Sequence, residues 1–223
     1  EIEQCGRVPI LAGGTGLYLR ALRRPFFASP PTDPGLRRRL TVIRERHGAE
    51  HLHRLLQRLD PQSALELYPR DWPRVHRALE VRLQTGAPMS SQKERTPEPH
   101  ESVRRIRLLA LNPPRDQLYQ IINERTVAHF NAGLVDEVRT LLAQGVPSDS
   151  NALGAHGYRR VVEYLEGRRD LPSAIEQSKL DVRHYAKRQL TWFRHELGVE
   201  WFAGFGTEEA ILKAVMNAVT RQA

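Results

Sequence analysis

The apolar positions of this chain fall into two rhythms. Val8-Pro9-Ile10-Leu11-Ala12 is an unbroken apolar run, the pattern of a parallel strand buried on both faces. It runs into Gly13-Gly14-Thr15-Gly16 and then Leu17-Tyr18-Leu19-Arg20-Ala21-Leu22, a strand–turn–helix order. Val103–Leu111 and, more weakly, Val199–Phe202 also read as strands. Elsewhere the period is helical. Leu36, Leu40 and Ile43 predict a helix starting at Asp33 or Pro34. Leu52, Leu55, Leu56 and Leu59 predict a second, stopped by Asp60-Pro61, and Ala64, Leu65 and Tyr68 a short third. Val75, Ala78, Leu79 and Leu83 lie between a capping Asp71 and a terminating Gly86. Prolines 25, 30, 31 and 34 keep the preceding connector out of helix, and Lys93–His100 reads as a linker. Beyond residue 111, helices are expected over about 115–131, broken at Gly133; over Leu134–Gln144, ended by Gly145; from Gly157 to Leu165; from Leu171 to about Leu197; and from Glu208 to Ala223.

This order predicts an α/β fold. A partial parallel-sheet core takes residues 1–32 and 100–223, and an all-helical insertion takes 33–99. So few strands do not make a parallel sheet, so its first strands are expected upstream of Glu1. No apolar run approaches the roughly 20 residues that span a bilayer. The first residues show neither the basic nor the apolar region of a signal peptide. A lone Cys5 excludes an internal disulfide framework and a multi-cysteine zinc module. A cytoplasmic monomer is expected.

Charge sharpens the picture. The formal net charge is +8, and only four of the 34 basic residues are lysine (Lys93, Lys179, Lys187 and Lys213). Arginine's planar fork suits phosphates and stacks on bases, so the excess reads as a polyanion-binding surface. The stretch from Lys179 to Arg194 carries five basic residues and one acidic. At about 100° per residue, Lys187, Thr191 and Arg194 share a helix face, while Leu190, Trp192 and Phe193 turn inward. Gly13, Gly14 and Gly16 form a phosphate-loop-like turn, although no lysine follows as in a Walker motif. His47, His51 and His53 read as solvated or RNA-facing rather than as a metal site, and no metal ligands are assigned.

In order, Pro9–Tyr18, Asp33-Pro34-Gly35-Leu36-Arg37, Leu59-Asp60-Pro61, Arg74–Val81 with Thr85-Gly86, Gly133–Val138, Gly157-Tyr158-Arg159 and Lys187–Trp192 resemble one family. It is the tRNA dimethylallyltransferase family, the bacterial tRNA isopentenyltransferases or IPP transferases. The resemblance implies transfer of a dimethylallyl group from dimethylallyl diphosphate to N6 of the adenosine 3′ of the anticodon (A37), giving N6-isopentenyladenosine. It implies Thr15 and Arg125 as catalytic residues, Thr15 beside the target region of the tRNA and Arg125 near the diphosphate. It implies contacts to the anticodon stem-loop at Arg37; at Pro73, Arg74, Val75, His76 and Arg77; at Gly154, Ala155, His156, Gly157, Tyr158 and Arg159; and at Lys187, Arg188, Gln189, Leu190, Thr191, Trp192, Phe193 and Arg194. The resemblance also implies a P-loop NTPase-like core and Mg²⁺ as cofactor, its ligands mostly upstream of Glu1, together with the phosphate loop and the aspartate general base. The sequence departs from the pattern at Ile121, where many members carry arginine, and at Trp72-Pro73, where Pro-Gln is commoner. Three other readings stay open: a non-catalytic RNA-binding fragment, an adenylate isopentenyltransferase and a P-loop kinase-like phosphotransferase.

Overall fold

The structure, a computed structural model, describes residues 2–23, 26–93 and 106–220. The linker expected at Lys93–His100 falls outside them from residue 94, as do residues 103–105 of the first-expected long strand and the end of the last helix. The chain divides into two compact units, residues 1–16 with 107–223 and residues 17–106. The helical unit is therefore wider than the 33–99 read from the sequence. The reason is local: Phe27 packs on its core, and Arg77 donates to Ser29 Oγ and to the Pro30 carbonyl. The proline-rich connector belongs to that unit.

The helical unit contains α2 (Pro34–His47), α3 (Ala49–Leu59), α4 (Pro61–Glu66), α5 (Trp72–Thr85) and α6 (Met89–Lys93), preceded by α1, which spans Gly16–Arg23 across the division. Asp33 caps α2, accepting from the Gly35 and Leu36 amides at 2.8 and 3.0 Å, with Pro34 in the first turn. Gly86 ends α5 in the left-handed region at φ 72°, a conformation that favours glycine. Asp71 stands before α5 as expected, but its carboxylate turns to Arg74 (3.3 Å) instead of the backbone. Leu52, Leu56, Val75, Ala78 and Leu79 are fully buried and form the centre of the core. Truncating one such leucine costs about 2–5 kcal/mol.

One buried carboxylate staples three helices. Asp60 accepts from the Ser63 amide and hydroxyl at 3.1 and 2.6 Å, which caps α4, and from the Ser90 amide and hydroxyl at 3.1 and 2.6 Å, which holds α6. Burial pushes its pKa up, but these hydrogen bonds outweigh burial and hold it below the ordinary value. His53, expected to face solvent, is buried and donates through Nε2 to the Leu67 carbonyl at 2.7 Å, whereas His47 and His51 are exposed with ring centroids 5.0 Å apart.

In the other unit β1 (Leu108–Leu111) and β2 (Val199–Phe202) pair in parallel, with Leu108 opposite Val199 and Leu111 opposite Phe202. Between them run α7 (Arg115–His129), α8 (Val135–Ala143), α9 (Tyr158–Leu165) and α10 (Leu171–Arg194); α11 (Glu209–Thr220) follows. The break expected at Gly133 is a π-helical turn, Phe130–Leu134, in which Gly133 adopts φ 103°. Phe130, Val138, Leu153, Val161 and Val162 form the core there.

The architecture is mostly helical with a small parallel sheet, in keeping with an α/β class. Val8–Ala12 departs from expectation. It is irregular, and Val8, Ile10 and Leu11 are 57%, 75% and 68% exposed. A parallel strand exists only beside a neighbour that takes its N–H and C=O groups, and no described strand lies beside this run. No helix among the described residues is long and apolar enough to cross a membrane.

Candidate functional site

The glycine turn is seated on α10. The Gln189 side-chain amide donates to the Gly14 carbonyl at 3.0 Å, and Thr15 Oγ1 lies 3.5 Å from Tyr185 Oη. A Cβ on Gly14 would meet the Gln189 amide, and one on Gly16 would meet the Trp192 indole. Tyr185, Gln189 and Trp192 are spaced by four and three residues, one stripe of a helix. Two of the three glycines thus serve close approach of protein to protein, and Gly13 alone stays open. The stripe also divides the segment 187–194. Gln189 and Trp192 face the turn, Leu190 and Phe193 are half-buried, and Lys187, Arg188, Thr191 and Arg194 are exposed.

On the exposed side a cleft of about 430 Å³ opens between the β1–α7 loop and the second half of α10. Arg115, Lys187 and Arg194 reach its wall together with Tyr119 and Thr191. The Arg115 guanidinium stands 5.0 Å from the Tyr119 ring centre and that of Arg183 5.8 Å, so the phenol sits among cations. Lys187, Arg188 and Arg194 have no carboxylate partner among the described residues. Such a cluster retains its attraction for phosphate oxygens.

The segment 154–159 meets the same helix. His156 packs on Tyr185 at 4.9 Å, and Tyr185 lies 5.9 Å below the Arg188 guanidinium. Gly157 is buried at φ 86°, which opens α9. Tyr158 donates its hydroxyl to Glu137 at 2.6 Å; that bond, more than burial, lifts the phenol's pKa and ties α9 to α8. Gly154, Ala155 and Arg159 are exposed. Behind them, Arg160 bridges Asp181 (2.7 Å) and Glu163 (2.7 Å), and Arg169 joins Glu163 at 2.9 Å. Burial would raise both carboxyl pKa values, but the hydrogen bonds to arginine hold them low.

In the helical unit, Arg37 donates two hydrogen bonds to Glu80 (2.7 and 3.0 Å) and Arg77 a third at 3.2 Å. Glu80 is fully buried; desolvation alone would raise its pKa, and the two guanidiniums keep it below the usual value. Arg37 keeps about half its side chain in solvent. Val75 and His76 need correcting as expected tRNA contacts. They are 0% and 3% exposed, because the apolar stripe of α5 carries them into the core, whereas their neighbours Pro73 and Arg74 are exposed. His76 is held neutral, its pKa lowered first by burial and then by Arg44, and its Nε2 has no hydrogen-bond partner.

Residues 1–196 match the IPP transferase family model. The chain belongs to the IPP transferase family. It is 42% identical over 221 residues to the tRNA dimethylallyltransferase of Solibacter usitatus, covering 99% of this chain and 71% of that one. It is 45% identical over 203 residues to the enzyme of the same name from Thermomicrobium roseum, covering 91% of this chain and 60% of that one. The solved tRNA isopentenylpyrophosphate transferase from Bacillus halodurans is similar at 33% identity and a TM-score of 0.61, covering 98% of this chain and 67% of that one. The chain thus spans between about three fifths and seven tenths of these relatives.

Within this family member the expected catalytic pair is not brought together by any described contact. Thr15 packs against α10, whereas Arg125 is exposed on α7, six residues beyond Tyr119, and does not line the cleft. No three His, Cys, Asp or Glu side chains converge among the described residues. The exposed groups at the cleft are the cations Arg115, Lys187 and Arg194. Sequence reasoning missed Arg115, Tyr119 and Tyr185. The first two carried a signal, an arginine four residues before a tyrosine just after Asn112-Pro113-Pro114. Tyr185 carried none, since its partner Thr15 is 170 residues away.

Proposed function

We propose that this chain works in the transfer of a dimethylallyl group from dimethylallyl diphosphate to N6 of the adenosine 3′ of the anticodon in tRNA, on a core of the P-loop NTPase kind, in the cytoplasm. The observation that supports it most is the glycine turn of a prenyltransferase family seated on the helix that displays Lys187, Arg188 and Arg194. In the reaction the N6 lone pair forms a bond to C1 of the allyl group as the C1–O bond breaks. Diphosphate leaves with the electron pair, and N6 then gives up a proton. That amine is a weak nucleophile because its lone pair is delocalised into the ring, so the base must leave its stack, at a cost of a few kcal/mol. Contacts to phosphates and splayed loop bases offset that cost. In this reading the cleft at Arg115, Lys187 and Arg194 takes backbone phosphates, the helical unit grips the anticodon stem-loop, Thr15 borders the target base, and Arg125 neutralises charge on the departing diphosphate.

The test incubates the chain with unmodified tRNA or with AMP, each with labelled dimethylallyl diphosphate, and separates the nucleosides after digestion. Isopentenyladenosine from tRNA alone supports the reading. Product from AMP, or no binding of tRNA, overturns it; tRNA binding without product favours the non-catalytic RNA-binding reading.

A further inference from the structure

Helices α2 and α5 of the helical unit lie against each other as a ladder of unlike groups. At one end Arg37 clasps Glu80. At the other, the Arg44 guanidinium lies over the Trp72 ring, 4.0 Å from its centre, and also comes within 3.7 Å of Glu45. Trp72, His76 and Glu80 are spaced by four residues along α5, so they share its face toward α2. His76 stands nearly edge-on to the indole, at 72° and 5.3 Å between centroids. The indole is therefore fixed by a cation over one face and by a neighbouring ring, yet 41% of Trp72 is exposed. Arg70 and Arg74 flank it in sequence and are exposed, with Arg74 3.3 Å from Asp71.

An indole backed by a guanidinium, open to solvent and flanked in sequence by two exposed arginines is a poor way to finish a core and a good surface on which to lay a nucleobase. We propose that Trp72 is a stacking platform for one unpaired base of the RNA held by the helical unit, with Arg44 on the far face of the indole and the neighbouring arginines on the flanking phosphates. This rests on the tRNA reading above and adds a residue that sets how the loop is held. The occupant is an aromatic plane attached to an anion. The ring supplies sequence-tolerant stacking, worth about 1–3 kcal/mol per base, and the arginines supply the charge match. A cation over one face of the indole also polarises the ring for a partner on the other.

The experiment measures affinity of the full chain for an anticodon stem-loop RNA, intact and with each loop nucleotide in turn made abasic. Variants are Trp72→Ala, Trp72→Leu and Trp72→Phe, with thermal melts as the check on folding. About tenfold weaker binding is expected for the Ala and Leu variants, with Phe within about threefold of the parent. The slope of affinity against salt stays unchanged, since no charge is lost. At one abasic position the Ala and Leu variants bind as the parent does, because the stack is already gone. If Trp72→Ala melts early, the Leu and Phe pair decides the matter, as both keep apolar bulk and only one keeps a ring. Leu and Phe binding equally, or a loss that persists at every abasic position, overturns the platform. A parent chain that binds no stem-loop at all overturns the tRNA reading instead.

Discussion

The arginines of the two units do different work. In the helical unit Arg37 and Arg77 converge on a buried Glu80, and Arg77 also ties down the segment at Ser29 and Pro30. These guanidiniums are cement, joining α2 and the proline-rich segment to α5. In the other unit the division runs along one helix. The first half of α10 is bonded through Asp181 to Arg160 and its carboxylate network, whereas the second half shows Lys187, Arg188 and Arg194 without acid partners among the described residues. Net charge does not separate these roles; the position of the nearest carboxylate does.

The contrast breaks most sharply at Glu80. Glu80→Ala leaves two guanidiniums facing an emptied buried site and is expected to cost about 2–4 kcal/mol, read from urea unfolding. A cost under about 1 kcal/mol would mean that Arg37 and Arg77 are as dispensable as surface cations. Gly16→Ala comes next. Its new Cβ meets the rigid Trp192 ring, and a loss of about 1–3 kcal/mol is expected. Gly14→Ala should cost less, since Gln189 can swing its amide aside. Equal effects at the two positions would remove the packing account of the turn. Lys187 and Arg188 changed together to Ala should leave the melting curve nearly unmoved, within about 0.5 kcal/mol. The same pair should flatten the salt dependence of tRNA affinity by about one to two units of slope. An unmoved slope would reassign this helix end from ligand to solvent.

The smallest effect is on pH. His76 is buried neutral, with its pKa below the free value of 6.5. The unfolded chain takes up that proton first, so stability is complete above pH 6.5 and declines as pH falls toward the lowered folded value. Replacing His76 with Leu should flatten this acid limb in unfolding curves measured from pH 7.5 to 5. A limb that stays as steep would move the cause to another group.

Much of this was legible because it is local. Asp33-Pro34, Gly86 and the Gly133 break announce helix ends through side-chain capping and left-handed backbone, which depend on a few neighbours. The basic face of α10 was legible from spacing alone. Val8–Ala12 misled because an apolar run states a need for burial and not whether neighbours are there to meet it. The Arg37–Glu80 pair was not legible because Glu80 lies 43 residues away, and His53 read as solvated because its carbonyl partner lies 14 residues on. Val75 and His76 read as contacts because a motif lists residues in a row, while a helix sends successive ones in different directions.

Helix α10, 24 residues long, is keyed on two sides at once. Tyr185, Gln189 and Trp192 engage the glycine turn, and the residues between and after them hold out the cations. Each added residue would rotate everything downstream by about 100° and advance it by about 1.5 Å. A single-codon insertion near position 186 would therefore disengage Gln189 and Trp192 from the turn and aim Lys187 and Arg194 elsewhere in the same stroke. Point changes can spoil one side at a time, but the spacing itself tolerates no slippage.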